Sequence, residues 1–368
     1  MQRSGQSAPA VVDHRDLADI LQREGPFLTV WAARPDPLPN AISSRLRGMH
    51  GADAAVIPTE VFDALADAVA GQLPAAEGVV AVADRSGVVL TEALPEPPRH
   101  ELERVGAVPS LSPVIEHRQA SIPFVVLVAD RRGCDLYWSG RQGEGATSVA
   151  GDDMYIRKVQ AGGWSHRTFQ QRAENTWDHT AGEIAAELTR VVDEVRARVV
   201  TVSGDVRMLQ LLQKRLPSAV ASRVREVPGG RSDDGSDDAH DAAVRRWIRT
   251  AVAEDTVAVL RQFDEERGRA DRAADGAVAT FAALREARVD TLLVHDDVDV
   301  PGTGFFAPGE AMLVAENPDI LAAMGRSDLR QARAVDVAIR ASVLTGAAVR
   351  VVPASPRLTD GLGALLRW

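Results

Sequence analysis

The residues that decide the fold run from Phe124 to Trp138, FVVLVADRRGCDLYW. Phe124–Ala129 is an unbroken apolar run and predicts a strand. Asp130–Gly133 supplies a turn, and Cys134–Trp138 returns as the second strand of a hairpin. Downstream, Phe169, Ala173, Trp177, Ile184, Leu188, Val191 and Val195 recur at steps of three, four and seven residues. That spacing is one face of a long amphipathic helix. About 28 residues at 1.5 Å each give it a length of roughly 40 Å. Val199–Ser203 predicts a strand, Asp205–Leu216 a largely buried helix stopped by Pro217, Val224–Val227 a further strand, and Ala239–Phe263 a second long helix. Strand, helix, strand and helix after a hairpin make a mixed sheet with long flanking helices.

Outward from this segment, 368 residues are too many for one ordinary core and suggest two or three domains. Three composition breaks divide the chain. They are the proline-rich, charged stretch from Leu94–Pro98 to Ser112-Pro113, the Gly/Ser/Asp stretch Pro228–Asp238, and the charged run Glu265–Ala274. The expected class is α/β, an α+β multidomain chain, with an amino-terminal α/β domain over residues 1–120, the middle domain over 121–272 and a last domain over 273–368. In the first, Phe27–Ala33 and Val79–Ala83 predict strands, and Asp16–Gln22, Ala41–His50 and Thr59–Gly71 predict helices. In the last, helix Gly276–Ala287, strand Thr291–Val294, loop Pro301–Gly309, helix Leu329–Thr345 and strand Ala348–Val352 predict a compact α/β/α sandwich.

Composition narrows the function. Apolar residues make up 45% and charged residues 26%, the balance of a globular protein. The longest apolar run, Ile122–Ala129, contains Pro123 and is far too short to cross a bilayer, so no membrane partner is expected. Met1–Ala10 has no apolar core of the kind a secretory signal needs. A single cysteine, Cys134, excludes internal disulfides and cysteine-rich zinc sites and fits a reducing cytoplasm. The net charge of −10 argues against a general polycation that coats nucleic acid. It leaves room for one local basic surface.

Chemical motifs mostly fail on spacing. There is no phosphate loop, because neither Lys158 nor Lys214 follows a suitable glycine. Gly302-Thr-Gly304-Phe-Phe-Ala307 imitates a dinucleotide fingerprint but ends in proline and glycine instead of opening a helix. His100-Glu-Leu-Glu-Arg104 lacks the second histidine of a zinc protease and reads as a charged helix face. Gly163-Trp-Ser165-His-Arg lacks the closing glycine of a nucleophile elbow. The acids of Asp233–Asp241 with His240 lack calcium-loop spacing and read as a solvated loop. No catalytic residue, metal ligand or cofactor follows from these patterns.

One stretch departs from the rest. Met154–Ala173, MYIRKVQAGGWSHRTFQQRA, carries Arg157, Lys158, Arg167 and Arg172, one histidine, and no acid. It sits where the long helix is expected to begin, and a helix N-terminus favours phosphate. Gly162 and Gly163 allow close backbone approach, and Trp164 offers a stacking face between basic flanks. Gln160, Ser165 and His166 add polar groups. Contact with single-stranded or looped RNA is one reading. A surface loop whose Trp164 tucks into its own core is the other.

With these residues quoted, the chain resembles a family. Phe124–Trp138, then Ala161-Gly-Gly-Trp-Ser-His-Arg-Thr-Phe-Gln-Gln-Arg-Ala-Glu-Asn175 and its long helix, then Thr201–Gly204, are similar to the middle domain of archaeo-eukaryotic class-1 release factors and Pelota. Phe263 with the charged run after it, Ala277–Arg288 and Asp290-Thr-Leu-Leu-Val-His-Asp-Asp297 resemble the entry to that family's C-terminal domain. The likeness covers Ile122–Trp368. Before it, only Asn40 and the Ser44-Arg-Leu-Arg47 helix, with Arg45 and Arg47, resemble bacterial members. Within the bacterial branch the Balon group of ribosome-hibernation factors is the most similar.

The resemblance implies a 70S ribosome partner. Ribosomal RNA would be met at the peptidyl-transferase centre by the tip and at the decoding centre by Asn40, Arg45 and Arg47. Elongation factor Tu is a further partner it suggests. The family's Gly-Gly-Gln tip places water against the peptidyl-tRNA ester, and Trp164 stands where that glutamine would be. An indole has one donor and no acceptor, so the resemblance implies ribosome binding without hydrolysis. Competing readings are a peptidyl-tRNA hydrolase or release factor, with Gln160 or His166 replacing the glutamine, and an RNA-binding module unrelated to translation.

Overall fold

A computed structural model describes residues 14–33, 42, 44–46, 48, 55–72, 76–130, 133–140, 143–150, 177–230, 237–295, 302–353 and 358–368. The chain folds as a mixed α/β, multidomain protein with four sheets among the described residues. Contacts divide it into two compact units. One is contiguous, Ala120–Asp255, and the other joins Met1–Gln119 to Thr256–Trp368.

The contiguous unit is built on a five-stranded mixed sheet in the order β7-β6-β5-β8-β9. Its strands are β5 (Phe124–Asp130), β6 (Gly133–Gly140), β7 (Gly143–Ala150), β8 (Val199–Gly204) and β9 (Val224–Glu226). β5–β6–β7 is an antiparallel meander, while β5, β8 and β9 run parallel. The apolar run of β5 is explained by burial on both faces. Val125, Leu127 and Ala129 pack with α4 (Trp177–Val195) and α5 (Val206–Arg215), through Ile184, Leu188, Val191 and Leu212. Val126 and Val128 pack on the other face with Ala243 and Val244 from α6 (Asp237–Gly268).

The turn from β8 into α5 depends on glycine. Gly204 has φ +126°, and a Cβ there would lie 1.7 Å from the Ala129 carbonyl oxygen. Asp205 then caps α5, its carboxylate accepting from the amides of Arg207 and Met208.

The other unit holds three sheets. The first is wholly antiparallel, β3-β2-β1-β4, formed by β1 (Phe27–Ala33), β2 (Gly78–Asp84), β3 (Gly87–Leu94) and β4 (Leu102–Gly106). One face packs on α2 (Thr59–Gln72) through Val61, Phe62, Leu65 and Val69. The opposite face contributes Phe27, Trp31, Val80 and Val82 to a core shared with α1 (Arg15–Leu21), α7 (Gly276–Arg285) and α9 (Ala334–Leu344). The second sheet is β10-β16-β11-β15, with β11 (Val289–Val294) and β15 (Ala348–Val351) parallel and β10 (Ala273–Asp275) and β16 (Leu362–Leu366) antiparallel to their neighbours. A small sheet, β13-β12-β14, completes it with β12 (Thr303–Phe306), β13 (Val314–Ala315) and β14 (Arg330–Arg333). A short helix α8 (Pro318–Ala323) lies between β13 and β14.

Buried polar contacts join the two sequence-distant parts of this unit. Gln119, at the end of α3 (Ser112–Ala120), donates its amide to the Val351 carbonyl at 2.7 Å and accepts from the Val351 amide at 3.0 Å. The Ser110 hydroxyl donates to Asp336 at 2.7 Å, and its carbonyl accepts from the Trp31 indole at 3.0 Å. Arg340 donates to the carbonyls of Leu21 and Glu310 and lies 4.8 Å over the Phe306 ring.

Several sequence expectations change. The stretch from Leu94 to Pro113 is not free of regular structure, because it contains β4 and the start of α3. Leu102–Arg104 is therefore strand, not helix; among the described residues β4 is an edge strand, so charged side chains cost it little. Residues 143–150 form β7, and Pro301–Gly309 contains β12. The helix expected from Leu329 begins at Ala334, after strand β14.

Candidate functional site

The acid-free stretch begins just after β7 ends at Ala150, and the described chain resumes at Trp177, where α4 starts. Both anchors are firmly held. β7 pairs along its whole length with β6, from Gly140↔Gly143 to Gly133↔Ala150. One of its glycines makes room for a neighbour: a Cβ on Gly145 would lie 2.4 Å from the ring of Trp138, the residue it faces across the strands. In α4, Thr180 and Ala181 are already buried in the first turn, and Ile184, Leu188 and Val192 are fully buried further along. Truncating such a leucine costs about 2–5 kcal/mol, so α4 is well anchored in the core of its unit.

Arg157, Lys158, Gln160, Gly162, Gly163, Trp164, Ser165, His166, Arg167 and Arg172 lie outside the described residues, as do Asn40 and Arg47. Arg45 is described. It is exposed, and its guanidinium binds both carboxylate oxygens of Glu103 on β4. Any phosphate there would compete with that carboxylate. Along α4 the basic charge is likewise taken up: Arg190 is bridged by Glu187 and Glu194, and the Glu187 hydrogen bond holds its guanidinium still more firmly protonated. His240 is buried, with Nδ1 2.9 Å from the Pro228 carbonyl oxygen, so it packs within the unit at the start of α6.

The sequence reading passed over one group of basic residues, Arg223 and Arg225 beside β9 and Arg245, Arg246 and Arg249 on α6. A signal for it existed, since residues 242–253, AAVRRWIRTAVA, contain three arginines and no acid.

The family model for bacterial archaeo-eukaryotic release factor family 2 matches residues 123–269. The Mycobacterium tuberculosis protein Rv2629 is 30% identical, over 95% of this chain and 95% of its own. This chain belongs to the bacterial archaeo-eukaryotic release factor family. Among solved structures, Archaeoglobus fulgidus Pelota is similar over 98% of this chain and 94% of its own, at 15% identity and a TM-score of 0.38. Dom34 of Saccharomyces cerevisiae, a translation termination-like factor, is similar over 100% and 96%, at 7% identity and a TM-score of 0.39. In this release-factor-like protein the family match opens at β5 and closes at the end of α6. It therefore takes in the sheet, both long helices and the Gly-Gly-Trp stretch. Among the described residues, no helix is long and apolar enough to cross a membrane.

Proposed function

We propose that this protein binds the ribosome, occupies the vacant A site of idle 70S particles and protects them, without hydrolysing peptidyl-tRNA. The observation that carries this is Trp164 behind Gly162-Gly163 in a member of the release-factor family. Hydrolysis needs a group that orients water toward an ester carbon. The indole N–H donates one hydrogen bond and accepts none, so Trp164 cannot hold water as an amide can. What the stretch keeps is charge, glycine flexibility and a stacking face, which suit binding to RNA.

In this reading three domains divide the work, over residues 1–120, 121–272 and 273–368. The first faces the decoding centre through Asn40, Arg45 and Arg47. The second carries its tip, Arg157 to Arg172, to the peptidyl-transferase centre. The third lies outward and meets elongation factor Tu. In this reading the setting is the cytoplasm, and the role is that of the Balon group of hibernation factors.

The test is co-sedimentation with vacant 70S ribosomes at low salt, with peptide release from ribosomes carrying peptidyl-tRNA measured in parallel. Binding without release is expected. Release that Trp164→Ala abolishes would make the protein a hydrolase, with Gln160 or His166 as the polar group beside the ester. Absence of co-sedimentation would end the ribosomal reading.

A further inference from the structure

We propose that the contiguous unit carries a second RNA-binding surface, made by Arg223, Arg225, Arg245, Arg246 and Arg249 around Trp247, which takes the sugar–phosphate backbone of single-stranded or looped RNA. The proposal deepens the ribosomal reading and rests on it for the kind of partner.

The first observation is the chemical state of these arginines. Many arginines elsewhere on the chain meet carboxylates: Arg118 meets Glu92 and Asp16, Arg198 meets Asp255, Arg272 meets Glu266, and Arg326 meets Glu310. Around Trp247, Arg223 and Arg225 meet neutral groups. Arg223 donates to the Ala197 carbonyl at 3.1 Å. Arg225 donates to the carbonyls of Ser222 and Val224, both at 2.9 Å, and lies 5.3 Å over the Trp247 ring. Carbonyls and an indole face orient a guanidinium without cancelling its charge. Arg245 and Arg246 are exposed and form no ion pair among the described residues, and Arg249 is exposed one turn beyond Arg245.

The second observation is placement. Ala243 and Val244 turn into the core against Val126, Val128 and Val227. Helical periodicity then puts Arg245, Arg246 and Arg249 on the outward side. The Arg225–Trp247 contact brings β9, an edge strand among the described residues, against this helix. The neighbouring acids in sequence are Glu226 on β9, Asp238 and Asp241 toward the start of α6, and Glu254 beyond the arginines. Arg245 and Arg249 are about 6 Å apart along the axis, within reach of neighbouring groups on one strand. Planar guanidinium groups beside an indole suit phosphates and base faces together. An acidic protein segment would use the charge but not the flat stacking faces, so RNA is the better match.

The experiment uses the full chain and a fluorescently labelled oligouridylate, titrated at several salt concentrations. The triple variant Arg245→Ala/Arg246→Ala/Arg249→Ala is compared with wild type, and both are repeated in a Trp164→Ala background so that the tip does not mask the effect. The triple variant is expected to bind roughly tenfold or more weakly, with the salt slope reduced by about 2, since each lost single-strand phosphate contact removes about 0.7. Its melting temperature should match wild type, because all three side chains are exposed. Unchanged affinity and slope in the triple variant overturn the proposal. So does polyglutamate binding wild type as tightly as the RNA and losing that affinity in the variant, which would assign an acidic protein partner. Co-sedimentation of the same samples with 70S ribosomes separates the two readings. Ribosome binding retained by wild type alongside an unchanged triple variant defeats only this surface, whereas ribosome binding lost in wild type defeats the ribosomal reading itself.

Discussion

Replacing Gln119 by alanine tests how firmly residues 14–119 are held to residues 256–368. Gln119 is 6% exposed, and its amide makes two hydrogen bonds to the backbone of Val351, at 2.7 and 3.0 Å. Among the described residues β15 is an edge strand, so the glutamine side chain does what a neighbouring strand would do. Alanine leaves one buried N–H and one buried C=O without these partners, and each costs about 1–3 kcal/mol. The total is roughly 2–6 kcal/mol. For a unit of this size 1 kcal/mol moves Tm by about 2–4 °C, so the loss is about 4 °C at least. Gln119→Glu adds a sign. A carboxylate can accept from the Val351 amide but meets the Val351 carbonyl with like polarity, which raises its folded pKa. Its stability should therefore rise as pH falls toward that pKa, the reverse of an ordinary surface carboxylate. Thermal unfolding followed by calorimetry, with hydrogen exchange at the Val351 amide, reads both effects. A Gln119→Ala protein melting within about 1 °C of wild type, with Val351 still protected, would refute the reasoning.

Other predictions concern separate parts of the chain. Gly204→Ala should destabilise the contiguous unit by roughly 2 kcal/mol or more, because the position combines φ +126° with the Ala129 carbonyl in the way; denaturant melts check this. His117 has its pKa lowered, chiefly by burial, with Arg118 acting in the same direction and Glu92 against it. The unfolded chain then binds the extra proton, so stability should fall as pH drops from about 7.5 to 5.5, and His117→Gln should flatten that slope in thermal melts. At the tip, Trp164→Ala should weaken ribosome binding roughly tenfold or more if the ring stacks on a base. Arg157→Ala and Arg167→Ala should mainly flatten its salt dependence. A lowered Tm with unchanged affinity in Trp164→Ala would place the ring in a core instead.

The sequence made parts of this fold readable for definite reasons. Phe124–Ala129 is apolar throughout and Val199–Ser203 largely so because helices cover both faces of their sheet, and Asp205 announces α5 because a short carboxylate is a good cap. β7 was hidden because GEGATSVA lacks strand formers, its Gly145 being compensated by Trp138 across the hairpin. β12 was hidden for a similar reason: Gly304 is small because Val337 and Phe281 crowd the place of its Cβ. Such compensations lie in a neighbour distant in sequence and leave no local pattern. At the site, composition singled out the acid-free stretch but could not show that Arg45 meets Glu103, which is 58 residues away.

The insertion of one unit into the other matters while the chain is being made. Ala120–Asp255 is continuous and can fold as soon as it emerges. The sheet before it cannot finish, since Phe27, Trp31, Val80 and Val82 share their core with Phe281, Val335 and Val337. About 200 residues separate Val82 from Phe281, a delay of roughly 10–40 s at 5–20 residues per second. Throughout that interval one greasy face of the nascent amino-terminal sheet lacks its cover. Only when the carboxyl-terminal third leaves the exit tunnel can Phe281, Val335 and Val337 close that face.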